Sequence, residues 1–195
     1  MKLHYSAASP FVRKVVATAL HHGIKLDHVP SNPHASTPEL LADNPLSKVP
    51  ALVTDDGMTL PDSPVICEYL DSLGGATKLF PAGDARWPAL RLAALADGIM
   101  TAAVLRRGQS LMPVEDARMG TIARQKAAVF RTLDMLEAEG LPATLHIGTL
   151  TLVCALGYLD FRFGDEDWRR GRPQLTSFYE AHMANPIFAE TVPVG

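Results

Sequence analysis

Hydrophobic and polar residues follow each other in short blocks over the first part of the chain, and their spacing switches between strand and helix periods. KLHY predicts a short strand, and the apolar residues from Phe11 to Leu20 recur at helical spacing up to Gly23. KLDHV predicts a second strand, and TPELLADN predicts a short helix that ends at Asn44-Pro45. PALVT and MTL flank the turn DDG and predict a hairpin, which the helical pattern of SPVICEYLDSL follows. The predicted order of elements is therefore βαβαββα.

The pattern changes at GGATKLFPAGDARWP, a stretch with glycine and proline after which no strand pattern follows. ALRLAALADGIMTAAVL and IARQKAAVFRTLDMLEAE predict long helices, and PQLTSFYEAHMA predicts a last amphipathic helix. TLTLVCALGYLDFRF is apolar almost all round, which is typical of a helix at the centre of a bundle. We therefore predict an α/β domain over residues 1–75, a linker over 76–86 and an all-helical domain over 87–195.

Composition and charge indicate an ordinary soluble, core-forming protein, since 47% of the 195 residues are apolar, 20% are charged and the net charge is −3. No basic stripe or Lys/Arg block is present, which argues against a nucleic-acid partner. The first residues lack the apolar run of a secretory signal, and LTLVCALGYL is too short to span a bilayer. We therefore expect no membrane partner.

The two cysteines, Cys67 and Cys154, lie in separate helical patterns, so no disulfide is expected and the cytoplasm is the predicted location. Both are predicted to be buried core residues rather than nucleophiles. The seven histidines show no metal-ligand spacing with cysteines or carboxylates. The sequence therefore predicts no metal site.

Ser9 and Pro10 predict a strong helix start, because a serine N-cap accepts a bond from a free backbone N–H and a proline at the first position loses none. Free N–H groups and the positive end of the helix dipole meet at this corner and favour an anion such as a thiolate. A serine hydroxyl there can donate to the thiolate and lower the thiol pKa. Ser9 is thus either a cap alone or a cap and a thiol contact, and Ser6, at the same strand end, is its competitor.

Two further corners each have a structural and a functional interpretation. Pro50 opens a predicted strand, and a cis Val49-Pro50 bond would turn the Val49 backbone toward a ligand, although trans is the commoner state of such bonds. Ser63 stands before a proline and predicts a second capped helix start. With Asp62 beside it, this corner can bind a ligand that carries a carboxylate and an ammonium, or it is a simple capped helix.

The chain resembles the glutathione transferase family in the order and spacing of SPFVRKV, NPLSKVPAL, DSPVICEYL, ALADGIM and CALGYLDFRF, over essentially its whole length. The Ser-Pro-Phe-Val-Arg-Lys start is most similar to the bacterial YibF-like group of that family. The resemblance implies a thioredoxin-like first domain and a helical glutathione transferase second domain. It also implies a glutathione site, whose expected residues are Ser9, Phe11, Lys48, Val49, Pro50, Asp62 and Ser63.

Within that resemblance, Ser9 matches the residue that hydrogen-bonds and activates the glutathione thiol, and Phe11 lies near it on the first helix. Val49 matches the residue whose backbone pairs with the cysteinyl part of glutathione, and Pro50 matches the cis-proline that follows. A redox-active corner of this type reads Cys-Pro-aromatic-Cys, whereas this chain reads SPFV. Disulfide exchange by the protein's own thiols is therefore excluded at this corner.

Asp62 and Ser63 match the acidic residue and the serine that hold the γ-glutamyl end of glutathione, and many relatives have glutamate in place of Asp62. Lys48 is expected to approach the glycyl carboxylate. Many relatives also open the central helix with a Ser/Thr-x-x-Asp capping box, whose positions match His146 and Thr149 here. A missing box is expected to cost about 1 kcal/mol of stability without changing the fold.

The leading hypothesis is a glutathione transferase in which Ser9 stabilises the thiolate that attacks a mostly apolar electrophile. Glutathione is then a co-substrate, no metal or redox cofactor is needed, and the family implies a homodimer. Arg13 is expected to make a structural ion pair. One alternative is a non-catalytic module for glutathione binding or protein interaction on the same scaffold, and another is a glutathione-dependent peroxidase.

Overall fold

The computed structural model describes all 195 residues. Its first unit has a four-stranded sheet and three helices, in the predicted order βαβαββα. The strands are β1 (Lys2–Tyr5), β2 (Asp27–Pro30), β3 (Ala51–Val53) and β4 (Thr59–Pro61). The helices are α1 (Pro10–His21), α2 (Pro38–Asp43) and α3 (Ser63–Leu73). The structure therefore confirms a thioredoxin-like first domain.

The register of the sheet brings three chain segments to one edge. The strand order is β2-β1-β3-β4, with β1 parallel to β2 and antiparallel to β3, and β3 antiparallel to β4. His4 pairs with Ala51, and Ala51 pairs with Pro61. The end of β1, the start of β3 and the end of β4 therefore lie side by side. The turn after β1, the residues before β3 and the corner after β4 all extend from this edge.

The core of the first unit consists of apolar residues that recur at helix or strand spacing in the sequence. The two long helices α1 and α3 pack against each other, and α3 also contacts β3 and β4. The side chains at their centre are all no more than 1% exposed; they are Leu3, Val12, Val15, Leu52, Ile66 and Leu70. Each fully buried aliphatic side chain of this size contributes roughly 1.5–3 kcal/mol to folding.

The second unit is all-helical, as predicted. Its helices are α4 (Arg86–Ser110), α5 (Asp116–Glu139), α6 (Ile147–Phe163), α7 (Pro173–Met183) and α8 (Pro186–Ala189). Every residue from Ile147 to Leu159 is buried, and α6 packs mainly against α4. The helical segments Gly83–Ser110 and Ile147–Glu166 are each long and apolar enough to cross a membrane, but 72% of the apolar part of the latter is buried in the protein. α6 is therefore the central helix of the helical unit.

The connection between α3 and α4 is attached to both units. It contains one 3-10 turn, Gly83–Ala85, and the fully buried Leu79. The Leu79 N–H donates to Asp71 Oδ1 at 2.6 Å, and the Leu79 carbonyl accepts from the Ile147 N–H at 2.8 Å. Because these bonds join the connection to α3 and to the first residue of α6, the two units are held together at this point.

The start of α6 corrects one expectation, because its capping box is present. His146 is the N-cap, and its Nδ1 accepts from the N–H groups of Gly148 at 3.0 Å and Thr149 at 3.3 Å. The Thr149 hydroxyl accepts in return from the His146 N–H at 2.9 Å. An imidazole replaces the usual cap hydroxyl and a threonine replaces the usual carboxylate. The expected loss of about 1 kcal/mol therefore does not arise.

Arg13 also differs from expectation, since it forms no ion pair. Its Nη2 donates to the Phe188 carbonyl at 3.1 Å and its Nε donates to the Thr191 hydroxyl at 3.4 Å. Carbonyl groups near the end of α8 are available because the last carbonyls of a helix have no partner within it. A Cβ added to Gly157 would lie 2.1 Å from Arg13 Nη1, so any larger residue there would displace this guanidinium where it crosses α6.

Candidate glutathione site

Ser9 lies in the turn after β1 and forms the N-cap of α1. Its Oγ accepts a hydrogen bond from the Val12 N–H at 3.3 Å, and Pro10 occupies the first helical position. The residue is half-buried. A hydroxyl that accepts a bond in this way still has its own proton to donate. The cap role and a bond to a ligand anion are therefore compatible at Ser9.

The neighbours of Ser9 are positioned by the same turn. The Ser6 carbonyl accepts from the Ser9 N–H at 3.0 Å, whereas the Ser6 hydroxyl bonds no protein group. Phe11, in the first turn of α1, is half-buried and packs against the hydrophobic core. Both serine hydroxyls can donate to a ligand, but Ser9 alone caps the helix N-terminus, where the dipole favours an anion.

The Val49-Pro50 peptide bond is cis, as the family resemblance implied and against the general preference for trans. Neither the N–H nor the C=O of Val49 has a hydrogen-bond partner in the protein. Both groups lie just before β3, at the sheet edge that the Ser9 turn shares. An extended ligand backbone can pair with them as an added strand does.

Asn44 positions this segment, and sequence reasoning missed it as a site residue. Its side chain is buried, its Nδ2 donates to the Lys48 carbonyl at 2.9 Å, and its Oδ1 accepts from the Leu46 N–H at 3.1 Å. The asparagine after α2 was seen only as a helix end, although asparagine side chains commonly bond nearby backbone groups in this way. The Lys48 ammonium itself is exposed and has no partner in the protein, so it is free to bind a carboxylate.

The corner after β4 differs from the predicted cap. Asp62, not Ser63, is the N-cap of α3, with φ of 72° and its Oδ1 accepting from the Ser63 N–H at 2.8 Å. Ser63 is the first helical residue and is fully buried. Its Oγ has no hydrogen-bond partner in the protein. A buried hydroxyl without a partner is costly, so this atom has a hydrogen bond to offer to a bound molecule.

A buried ion pair lies next to this corner, and the sequence reasoning assigned it no role. Lys14 Nζ is 2.9 Å from both carboxylate oxygens of Asp97. Burial raises the pKa of the Asp97 carboxyl, Lys14 opposes this shift, and the nearby charge of Asp62 adds to it. The charges of Asp97 and Asp62 therefore interact, but Lys14 neutralises Asp97, so Asp62 is the charge at this corner that favours a ligand group with positive charge.

Neither cysteine takes part in the site. Cys67 and Cys154 are both fully buried and unpaired, which confirms the prediction that they are core residues. Burial raises the pKa of each thiol to about 11, so both stay protonated and unreactive at neutral pH. No group of three or more histidine, cysteine or acidic side chains is arranged to hold a metal ion.

The sheet edge therefore carries a set of groups that suit a peptide-like ligand with a thiol. These groups are the donor hydroxyl of Ser9, the open backbone of Val49, the acidic corner at Asp62 and Ser63, and the free ammonium of Lys48. A thioredoxin-like unit with such an edge, followed by a helical unit, defines the glutathione transferase class of fold.

Comparison with known proteins gives the family. Residues 3–78 match the glutathione S-transferase N-terminal domain, and residues 119–181 match the glutathione S-transferase C-terminal domain. The chain is 34% identical to the uncharacterized GST-like protein YibF of Escherichia coli K12, over 99% of this chain and 98% of that protein. The chain belongs to the glutathione S-transferase family, and its bacterial YibF-like character is confirmed.

Two solved structures from Pseudomonas fluorescens Pf-5 are similar over the whole chain. One is a glutathione transferase family member with bound glutathione, at a TM-score of 0.92 and 39% identity, covering 100% of this chain and 99% of that one. The other is a family member with bound S-(propanoic acid)-glutathione, at a TM-score of 0.87 and 37% identity, covering 100% of both chains.

Proposed function

We propose that the protein is a glutathione transferase that joins the thiol of glutathione to an electrophilic, mostly apolar small molecule. The observation that carries the proposal is the Ser9 hydroxyl. Its oxygen accepts from the Val12 N–H, so its proton remains free to donate toward a ligand sulfur at the positive end of α1. A thiolate in that place gains a hydrogen bond and a favourable dipole, and both lower the pKa of the thiol.

The rest of the site supports an orientation for glutathione. The γ-glutamyl carboxylate accepts from the buried Ser63 hydroxyl, which has no other partner, and its ammonium faces Asp62. The cysteinyl backbone pairs with the free N–H and C=O of Val49, beside Pro50. The glycyl carboxylate then lies toward the Lys48 ammonium. In this orientation the cysteinyl sulfur reaches the Ser9 corner.

Catalysis combines a lowered thiol pKa with proximity between two bound reactants. In a displacement, the carbon–sulfur bond forms as the bond to the leaving group breaks, and the leaving group departs with the electron pair. The thiol proton passes to solvent when the thiolate forms. Glutathione is consumed as a co-substrate, and this route requires neither a metal nor a redox cofactor.

The related structures support the same assignment. The Pseudomonas fluorescens family member holds glutathione in one structure and a glutathione S-conjugate in the other, and an S-conjugate is the kind of product that such a transferase releases. The resemblance to this relative extends over the whole of this chain, including the segments that form its site. We infer that this chain also binds glutathione and accommodates a substituent on its sulfur.

We also propose that the protein acts as a homodimer in the cytoplasm. The outward stripe of α4 is exposed and rich in small residues; it comprises Arg91, Ala94, Gly98, Thr101 and Leu105. Trp87, at the start of the same helix, is 71% exposed, and Val65 of α3 is 49% exposed. Small side chains allow two copies of α4 to approach closely, and burial of these apolar groups provides the driving force. The reduced buried cysteines fit a cytoplasmic protein.

The test is to measure glutathione binding and turnover for the wild type, Ser9→Ala and the matched control Ser6→Ala. Calorimetry reports binding, and a panel of electrophiles that includes an organic hydroperoxide reports turnover. We expect millimolar or tighter glutathione binding and conjugation, with a rate at least tenfold lower for Ser9→Ala and nearly unchanged for Ser6→Ala.

Each other outcome selects a different function. Absence of glutathione binding in the millimolar range refutes the transferase proposal. Binding without turnover of any electrophile favours the non-catalytic module. Turnover of the hydroperoxide alone, with two glutathione molecules oxidised to the disulfide while the peroxide is reduced to alcohol and water, favours the peroxidase. If Ser9→Ala is as active as wild type, the role given to Ser9 is wrong.

A further inference from the structure

A cavity of about 380 Å³ lies in the helical unit where α4 ends, α5 begins and α6 ends. Part of its wall is apolar, with Met112, Met119, Ile122 and Phe163. The rest is strongly basic, and the arginines in the wall are Arg106, Arg107, Arg118 and Arg162. The whole chain has a net charge of −3, so a concentration of positive charge at one cavity is a local feature and not a reflection of composition.

Carboxylates in and beside the wall neutralise two of these four arginines. Glu166 pairs with Arg106 at 2.5 Å and also with Lys126 at 3.1 Å, and Glu115 pairs with Arg118 at 3.4 Å. The other acidic residue in the wall, Asp165, is exposed and forms no ion pair. Neither Arg107 nor Arg162 pairs with an aspartate or a glutamate, and the one backbone contact of Arg162 is a bond from Nη1 to the Gly195 oxygen at 3.1 Å. Two cations therefore face the cavity with their charge available to a ligand.

Arg106 shows that the wall is a built site and not a group of surface arginines. Its side chain is only 4% exposed, it stacks over the Phe163 ring at 4.1 Å, and its Nε and Nη1 have no hydrogen-bond partner. The Nε of Arg162 is likewise buried without a partner. Buried guanidinium groups with unused donors are costly, and a bound anion is the kind of ligand that offsets this cost.

The cavity is connected to the Ser9 corner through the last residues of the chain. Arg162 Nη1 donates to the Gly195 carbonyl at 3.1 Å. The Val194 N–H donates to the Ala7 carbonyl at 3.4 Å, and Gly195 lies against Ala8. Because Ala7 and Ala8 directly precede Ser9, these contacts link the Arg162 guanidinium to the turn that holds Ser9.

Tyr158 lies one helical turn before Arg162 on α6, and its hydroxyl is influenced by the charges of two arginines of the cavity wall. Burial raises the pKa of the Tyr158 hydroxyl, and the positive charges of Arg162 and Arg107 oppose this shift. Both arginines are therefore near the Tyr158 hydroxyl, although they come from different helices. Arg107 and Arg162 thus line one cavity, and Arg162 connects it to the turn before Ser9.

We propose that the electrophile carries a carboxylate, which Arg107 and Arg162 bind while the apolar wall holds the rest of the molecule. This inference rests on the proposed transferase function and narrows its substrate class.

The same cations assist the reaction of a short α,β-unsaturated acid. The thiolate adds to the β-carbon, the carbon–sulfur bond forms as the π bond breaks, and the α-carbon takes a proton from water. Negative charge increases on the α-carbon and carboxylate in the transition state. Guanidinium groups that already contact the carboxylate therefore stabilise the transition state more than the ground state, and the addition becomes faster.

The test compares two glutathione conjugates that differ only in charge, S-(2-carboxyethyl)glutathione and its amide, S-(2-carbamoylethyl)glutathione. In calorimetry on the full chain, we expect the carboxylate to bind at least tenfold more tightly than the amide. Arg107→Gln and Arg162→Gln should each reduce this preference about tenfold, because each removes one charge-assisted contact. Arg131→Gln, at an exposed α5 position without a partner, is the matched control and should keep the preference.

Arg162→Gln also removes the bond to Gly195 and can change the structure of that segment. Arg107→Gln does not have this side effect, because the Arg107 side chain bonds no protein group, so its result alone decides the test. Equal binding of both conjugates by wild type overturns the inference while the transferase function stands. An unchanged preference in Arg107→Gln and Arg162→Gln overturns it as well. If free glutathione fails to bind, the proposed function itself fails, so the two failures are distinguishable.

Discussion

Lys14 and Asp97 join the two units of the protein by a buried ion pair. The Lys14 ammonium lies 2.9 Å from each oxygen of the Asp97 carboxylate, and its side chain is 1% exposed. Lys14 comes from α1 and Asp97 from α4, so the bond fixes the helical unit against the α/β unit. Asp97 also interacts electrostatically with Asp62, so the ion pair influences the charge at the corner formed by Asp62 and Ser63.

We expect Lys14→Met to lower the free energy of unfolding by about 3–5 kcal/mol, because it leaves Asp97 buried without its partner. The double variant Lys14→Met/Asp97→Leu should recover most of this loss, since no uncompensated charge remains. Urea unfolding midpoints measure both effects. Lys25→Met, at an exposed loop lysine, is the control and should change stability by less than about 0.5 kcal/mol. A double variant as unstable as Lys14→Met would contradict this account.

Gly157 allows Arg13 to cross α6, and this contact gives a second prediction. A Cβ at position 157 would lie 2.1 Å from Arg13 Nη1, so Gly157→Ala forces the guanidinium away from its carbonyl partner on α8. We expect a loss of about 1–3 kcal/mol in the free energy of unfolding. Gly120→Ala on α5, where a new Cβ meets nothing within 4 Å, should instead stabilise by about 0.5–1 kcal/mol. Equal effects of the two substitutions would show that the contact with Arg13 is unimportant.

Local patterns in the sequence predicted the elements of the fold because each depends on nearby residues. The strands, the helices and the central position of α6 all follow from periodicity, turn residues and caps. The partners of buried polar residues depend on contacts between distant segments, which no local pattern contains. Arg13 was therefore expected in an ion pair but bonds the Phe188 carbonyl, and Lys14 was not paired with Asp97.

In the candidate site, too, local features were predictable and features that depend on distant contacts were not. The Ser-Pro sequence predicted that Ser9 caps α1, whereas only the resemblance to a family predicted the cis bond at Val49-Pro50. The Ser-Pro sequence at the start of α3 led to a wrong prediction that Ser63 is the N-cap. Asp62 is the N-cap, and Ser63 is a buried residue of the first helical turn. That difference depends on the positive φ of Asp62, which the hairpin geometry sets and a local motif does not reveal.

The His146 cap predicts that the protein loses stability in mild acid. Nδ1 of His146 must be unprotonated to accept from Gly148 and Thr149. Burial lowers the pKa of His146, and the charge of His182 lowers it further. The unfolded chain therefore binds this proton more readily, so the stability is fully present above about pH 6.5 and is lost as pH falls through the lower folded-state pKa.

Replacement of the cap measures this contribution. His146→Ser keeps a cap that does not titrate, so its urea midpoint should fall less than that of wild type between pH 7.5 and pH 5.5, by about 0.5–1.4 kcal/mol in equivalent free energy. Thr149→Val removes the return bond and should destabilise at both pH values. Parallel pH profiles for wild type and His146→Ser would refute the role of this imidazole.

The exposed stripe of α4 predicts a dimer that a single charge disrupts. Ala94 and Thr101 are exposed on this stripe, and a glutamate at either position places two like charges opposite each other across a twofold axis. We expect wild type to sediment as a dimer at micromolar concentration, and Ala94→Glu and Thr101→Glu to sediment as monomers. Ala127→Glu, at an exposed position of α5, should remain dimeric. A monomeric wild type would overturn the proposed assembly.

The buried hydroxyl of Ser63 predicts opposite effects on stability and on ligand binding. Ser63 Oγ has no partner in the protein, so Ser63→Ala removes an unsatisfied group and should leave the unliganded protein as stable as wild type or more so. If this hydroxyl bonds the γ-glutamyl carboxylate, the same substitution weakens glutathione binding by about 1.5–3 kcal/mol, or roughly 10- to 150-fold. Calorimetry and thermal unfolding of one sample separate the two effects. Ser72→Ala, whose exposed hydroxyl bonds the Tyr69 carbonyl at 2.6 Å on the same helix, should leave affinity unchanged. Retained affinity in Ser63→Ala would place the γ-glutamyl end elsewhere, and a large loss of stability would show that the hydroxyl has a partner within the fold.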